Sequence, residues 1–288
     1  MEYERKSWRS GRTWREALRE RGLNQNPSPY PTTRIFDNLV FIGDETVNCF
    51  LVDTSAGPVL IDLMWPGEKY RETLIKGIHD AGYRVEDVAA ILITHGHIDH
   101  YGDVEYFRQK AGANVYMSEV DYHLALQFKP EHPAPVGVDN VSMTLSACEF
   151  VGDMDEITVG DTTIKAVLTP GHSPAGLSFI FPVFDEGRSH TAALWGGNGI
   201  PHNEKDIYVY LDALKHFSAV CEQYGVDVEV SNHPFVDNTM LRLELLRGLT
   251  DGVPNPFVIG KEAYKRYEHL FVELCEQELR TKYGKVEV

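Results

Sequence analysis

Residues 88–100 read Val-Ala-Ala-Ile-Leu-Ile-Thr-His-Gly-His-Ile-Asp-His. The run 88–94 is too apolar for a strand with one wet face, so it predicts a strand buried on both sides in a covered sheet. That strand passes without a break into His95, His97, Asp99 and His100. Side chains alternate along extended backbone, which puts His95 and His97 on one side, while Asp99 and His100 lie past the bend and face a neighbouring point. The spacing therefore predicts two adjacent metal positions served from one strand end. Neutral imidazole with carboxylate is a ligand set suited to zinc, and iron or manganese use it too. Packing alone has no need for three histidines at such a strand end, and Gly96 leaves the turn without a competing side chain.

On the N-terminal side, short β-type runs at 39–42, 49–53 and 59–62 follow one another, with Thr54-Ser55-Ala56-Gly57 making a hairpin turn. A helix is predicted over 68–81, ending at Gly82. Ahead of these, a charged helix over 13–21 closed by Gly22 and a proline-broken loop over 24–31 form an extension, residues 1–34, before one domain, 35–288. On the C-terminal side a helix over 102–111, a strand over 113–117 and a helix over 120–127 lead into a Pro- and Gly-rich surface loop, 128–146. The second half brings strands over 156–159, 163–168, 177–182, 191–195 and 226–230, with helices over 206–224, 238–249 and 261–283. The last carries Tyr264, Tyr267, Phe271, Leu274 and Leu279 at a spacing that packs one face on the domain. Strands flanked by helices in both halves make the class α/β.

At 288 residues and 43% hydrophobic content the chain can build a sizeable core. Its 43 acidic and 27 basic residues give a net charge of −16, which repels nucleic acid and anionic membrane surfaces and favours a small-molecule partner. Cys49, Cys148, Cys221 and Cys275 lack CxxC spacing and are expected to be reduced and buried. The Arg- and Glu-rich start holds no signal-peptide core, and no run is long and apolar enough to span a bilayer. The expected compartment is the cytoplasm, or the periplasm or exterior if a leader has been removed.

Residues 94–100 match the HxHxDH signature, and through it the chain resembles the metallo-beta-lactamase superfamily over about residues 35–279. The resemblance implies an αββα sandwich. Residues 169–176, Thr-Pro-Gly-His-Ser-Pro-Ala-Gly, resemble the turn that gives the first metal a third histidine, and 231–234, Ser-Asn-His-Pro, the turn that gives the second its last. The implied ligands are His95, His97 and His172 for one zinc ion and Asp99, His100 and His233 for the other, with Asp62 orienting a ligand histidine from behind. Residues 194–199, Leu-Trp-Gly-Gly-Asn-Gly, fall where family members place a bridging aspartate, a cysteine or a serine, and here Asn198 stands in that place. With no bridging acid, and histidine at the variable ligand positions, the chain is most similar to the third, dizinc and serine-containing, subclass.

The resemblance implies hydrolysis in which a water activated between two zinc ions attacks a carbonyl, β-lactam amides included. Asp99 would orient the nucleophile, and the first metal or Asn198 would stabilise the developing oxyanion. Trp65, Tyr101 and the loop 128–146 are candidates for substrate contact. Two alternatives stay open: a lactone, thioester or other small-ester hydrolase without β-lactamase activity, and a metal-binding protein that has lost catalysis.

Overall fold

A computed structural model describes residues 26–127, 136–250 and 252–284. The helix expected over 13–21, part of the loop 128–146, and His132 lie outside the described residues.

Strands β1 (Thr33–Phe36), β2 (Leu39–Gly43), β3 (Asn48–Val52) and β4 (Val59–Ile61) form an antiparallel meander. The turn between β3 and β4 closes as the sequence suggests, with Gly57 N donating to Thr54 O at 3.2 Å. Helix α1 (Glu68–Asp80) then crosses over to β5 (Ala90–Leu92), which pairs with β4 in parallel. The short helix α2 (Ile98–Tyr101) and α3 (Val104–Ala111) lead to β6 (Asn114–Met117), and α4 (Glu119–Gln127) precedes the two-residue edge strand β7 (Glu149–Phe150). These seven strands make one sheet in sequence order. The second sheet holds β8 (Glu156–Val159), β9 (Thr162–Leu168), β10 (Leu177–Asp185) and β11 (Arg188–Leu194), with β12 (Val228–Val230) added in parallel after the long helix α5 (Glu204–Tyr224). Two short helices, α6 (Pro234–Asp237) and α7 (Thr239–Arg247), and the final helix α8 (Lys261–Tyr283) complete the chain.

Three apolar clusters define the layers. Phe41, Phe50, Ile61, Leu92, Phe179 and Phe181 sit between the sheets. Leu74, Ile78, Ile91, Ile93 and Phe107 fill the outer side of the first sheet, and Trp195, Tyr210, Phe217, Phe271 and Cys275 the outer side of the second. The architecture is an αββα sandwich. Sheets covered on both faces explain why β4 and β5 are apolar at every position, each buried Val, Ile or Leu side chain contributing roughly 1.5–3 kcal/mol.

The boundaries depart from the sequence reading at informative places. The strand expected over 88–94 is only Ala90–Leu92 by pairing: Ile93 N still donates to Tyr116 O at 2.9 Å, but Thr94 N turns to Asp62 Oδ1 at 2.8 Å, where the histidine turn begins. The helix expected over 102–111 is broken into α2 and α3 by Gly102 at φ 45°. Of the cysteines, all four are unpaired, but Cys148 is half-exposed rather than buried.

Helix α8 packs on α5 through a polar seam as well as an apolar one. Glu268 is 7% exposed, accepts a hydrogen bond from Ser218 Oγ at 2.8 Å, and is pushed up to about 7 by burial, against the lowering effect of that hydroxyl. The folded chain therefore keeps this proton up to about pH 7, whereas an unfolded glutamate loses it near 4.3. Stability from this group is full below that lower value and is lost as pH rises through about 7. Glu268→Gln is expected to match the wild type near pH 4 and to exceed it by about 3 kcal/mol at pH 8, read from thermal unfolding at the two pH values. Equal stability at both would refute the assignment.

Candidate metal centre

Strands β4 and β5 run parallel, and β9, β11 and β12 run parallel to one another because β10 opposes both β9 and β11. Every predicted site residue follows the C-terminal end of one of these strands: Asp62 after β4, His95 to His100 after β5, His172 after β9, Asn198 after β11 and His233 after β12. Open α/β sheets gather ligands at such carboxyl ends. Backbone bonds between the sheets join the two edges, with Leu177 N donating to Thr94 O at 2.7 Å and Asn48 N to Asn232 O at 3.2 Å.

Two groups that could each hold a metal ion result. His95, His97 and His172 form one, and Asp99, His100 and His233 the other, the donor atoms of each lying within 4.8 Å of one another. The rings of His95 and His100 are 4.0 Å apart, so the two groups adjoin. The orientation of most of these imidazoles is fixed from behind. His172 Nδ1 donates to Gly199 O and His233 Nδ1 to Thr46 O, each at 2.8 Å. His100 Nδ1 donates to Asp62 Oδ2 at 2.8 Å. His95 Nδ1 lies 3.0 Å from Thr94 Oγ1, which in turn donates to Asp62 Oδ2 at 2.8 Å. One buried carboxylate thus supports a histidine of each group, and all four rings keep the Nε2 lone pair for the centre.

The electrostatics agree with a cation site. Burial, reinforced by the neighbouring rings, holds His95 and His172 well below the ordinary histidine range, so they face the centre neutral. Burial also depresses His97 and His233. Burial would raise Asp99, but His100, His233 and His97 outweigh it and keep its carboxyl below the usual range. His100 is depressed by burial yet raised overall by Asp99 and Asp62. Its Nε2 is buried without a hydrogen-bond partner, 3.7 Å from Asp99 Oδ1. The two carboxylates that favour a proton there would equally favour a metal cation, so the donor set fits zinc.

Other expected residues occupy different roles. Tyr101 is fully buried and its hydroxyl donates to Val141 O at 2.9 Å, which ties α2 to the loop and removes it from substrate contact. Trp65 is half-buried, with an indole N–H that has no partner. Asn198 is 3% exposed. Its Nδ2 donates to Asn232 Oδ1 at 2.7 Å and Ser231 Oγ at 3.2 Å, leaving the acceptor Oδ1 unpartnered. The amide hydrogens expected for an oxyanion are therefore spent inside the protein, and the donor role gives way to that of an acceptor. Asn232 passes the connection on, its Nδ2 donating to Asp62 Oδ2 at 3.0 Å and to Gly196 O at 3.1 Å. Asn198→Ala is expected to cost about 1–3 kcal/mol by stranding Asn232 Oδ1. Asn198→Asp is expected to cost more, since it sets oxygen against oxygen. Thermal unfolding that ranks the aspartate variant level with the wild type would refute this connection.

Sequence comparison adds to the geometry. A profile of the metallo-beta-lactamase superfamily matches residues 42–183, which include both β5 with its histidine turn and the turn at His172. The chain belongs to the metallo-beta-lactamase superfamily. It is similar to the probable polyketide biosynthesis zinc-dependent hydrolase PksB of Bacillus subtilis, 26% identical over 140 residues that cover 46% of this chain and 50% of that protein. It is similar also to the hydroxyacylglutathione hydrolase GloC of Haemophilus influenzae, 24% identical over 52% of this chain and 63% of that one. The chain thus spans less than two thirds of the length of these curated relatives. Among solved structures, BJP-1, a subclass B3 metallo-beta-lactamase of Bradyrhizobium japonicum, superposes with a TM-score of 0.75 at 24% identity, covering 92% of this chain and all of that one. FEZ-1 from Legionella gormanii gives a TM-score of 0.76 at 22% identity, over 90% and 99% of the two chains. At these identities the structural likeness speaks for the fold.

Proposed function

We propose that this chain is a zinc-dependent hydrolase that attacks a carbonyl of a small-molecule substrate. The observation that carries the reading is the pair of adjoining ligand groups, His95–His97–His172 and Asp99–His100–His233, whose histidines are held from behind by Asp62, Thr94, Gly199 and Thr46. A catalytic rather than purely structural site is favoured by the neutral imidazoles gathered beside one ionised carboxylate, a set that leaves room in the coordination sphere for a reactant. Each group would hold one zinc ion. Bound there, zinc supplies a Lewis acid that polarises a carbonyl and makes water acidic enough to react near neutral pH.

The chain's own residues do the rest. Asp62 and the Thr94 hydroxyl keep His100 and His95 protonated at Nδ1, so that Nε2 is the donor in both. Asp99, ionised between His100 and His233, orients the attacking water with the lone pairs its neighbours leave free. Asn198 Oδ1 accepts a hydrogen bond at the floor, from water or from an N–H of the substrate. β-Lactam amides are one candidate bond class, following the solved metallo-beta-lactamases. Lactones and thioesters are the second, because relatives are named as an N-acyl homoserine lactonase and as hydroxyacylglutathione hydrolases.

The deciding experiment assays a panel of β-lactams, an acyl homoserine lactone and an acyl-glutathione before chelation, after it, and after zinc is returned. Turnover of one class that vanishes with the metal and comes back with zinc is the expected result. Two bound zinc ions with no turnover anywhere on the panel would argue for a metal-binding protein instead.

A further inference from the structure

We propose that Asp121 is the positioning residue of the first ligand group, and of that group alone; the inference rests on the zinc reading above. Asp121 lies in the first turn of α4 and is fully buried. Its two carboxylate oxygens are divided between the two loops that bring His95, His97 and His172 together. Oδ2 accepts from Gly96 N at 3.1 Å, in the middle of the histidine turn after β5. Oδ1 accepts from Ala175 N at 3.0 Å, three residues beyond His172. The carboxylate itself is set by its own backbone, Asp121 N donating to Ser118 Oγ at 3.3 Å.

The bridge joins chain segments 25 and 54 residues away. It also explains Gly96. A Cβ at that position would meet the Asp121 carbonyl oxygen at 2.6 Å, so any larger residue would push α4 off the turn and pull its carboxylate away from the Gly96 N–H. The second group is supported elsewhere, by Asp62 behind His100 and by Thr46 behind His233. A carboxylate is needed at 121 because two N–H groups converge on it. An asparagine has a single acceptor oxygen, and its NH2 would confront whichever N–H remained. Losing half the bridge lets the loops at His97 and His172 drift relative to each other, and metal affinity depends on ligands held to within a few tenths of an ångström.

The test measures zinc affinity by chelator competition for Asp121→Asn in two backgrounds. His233→Ala retains the first group, and His172→Ala retains the second. In the His233→Ala chain the substitution is expected to weaken zinc binding about 10–100-fold, and in the His172→Ala chain to leave it unchanged. Cobalt(II) in the His233→Ala chain should show an altered ligand-field spectrum when Asp121 is replaced. A carboxylate that only stabilised the fold would weaken both chains alike, and that result overturns the proposal. An Asp121→Asn chain that fails to fold overturns it too, because the residue then serves the core and not the site. If the otherwise unaltered chain takes up no zinc, the functional reading fails and this inference with it. If that chain binds two ions and Asp121→Asn binds both as tightly, this inference alone fails.

Discussion

His97→Ala is expected to lower hydrolytic turnover on the order of 10³-fold or more, because losing an ion from the centre removes several kcal/mol of transition-state stabilisation. The argument begins with position. His97 caps the N-terminus of α2 with extended backbone, φ −80° and ψ 149°, and its Nδ1 lies 3.1 Å from His95 Nε2. At that separation the two nitrogens share a proton in the metal-free chain, and both can turn their lone pairs to one cation when it binds. The side chain is half-buried and belongs to none of the apolar clusters, so removing it should change the stability of the metal-free chain by less than about 1 kcal/mol. The expected result is therefore a folded protein that binds less zinc and turns over almost nothing. Metal analysis, thermal unfolding of the metal-free chain and the substrate panel give the three readings. Full activity at normal zinc loading would remove His97 from the centre.

How the site becomes legible in sequence depends on the range of the interactions that build it. The turn 94–100 can be read directly because its spacing is local: strand, glycine, and alternating donors lie within a few residues of one another. His172 and His233 lie 77 and 138 residues after His95 and are found only because each sits in a recognisable turn after a strand. Thr46 could not be found, since it acts through a backbone carbonyl, 187 positions from His233, and any residue type supplies one. Asp121 and Asn232 escaped for a related reason. An acid in a helix and an amide before a histidine are ordinary surface residues until tertiary packing buries them beside Gly96 and Asp62. Asn198 was visible as the residue at a variable place in the family. Which end of its amide faces inward is decided by Asn232 and Ser231, and no pattern in the sequence carries that. The fold follows the same division. Apolar runs such as 88–94 announce covered strands, whereas their ends shift by a few residues because pairing, not composition, terminates a strand.

Asp62→Asn should be the most damaging isosteric change in the protein, since it acts on both ligand groups at once. Asp62 is fully buried and sits at φ 56°, a left-handed conformation that asparagine shares with aspartate more readily than other side chains do. The substitution therefore spares the backbone and isolates the carboxylate. That carboxylate accepts from Thr94 N at 2.8 Å, Thr94 Oγ1 at 2.8 Å, His100 Nδ1 at 2.8 Å and Asn232 Nδ2 at 3.0 Å. An amide has one oxygen to offer and sets its NH2 against the remaining donors, which costs about 3 kcal/mol in a buried network. His100 loses the acceptor that fixes its tautomer, and Thr94 loses the one that lets it do the same for His95. Zinc affinity should fall roughly 10–100-fold in each group, and turnover with it. This separates Asp62 from Asp121, whose replacement is expected to weaken the first group only. The measurement is zinc competition in the same His233→Ala and His172→Ala chains, with unfolding of the metal-free protein alongside. A loss confined to the His172→Ala chain would mean that the Thr94 bridge to His95 carries nothing and that Asp62 serves His100 alone.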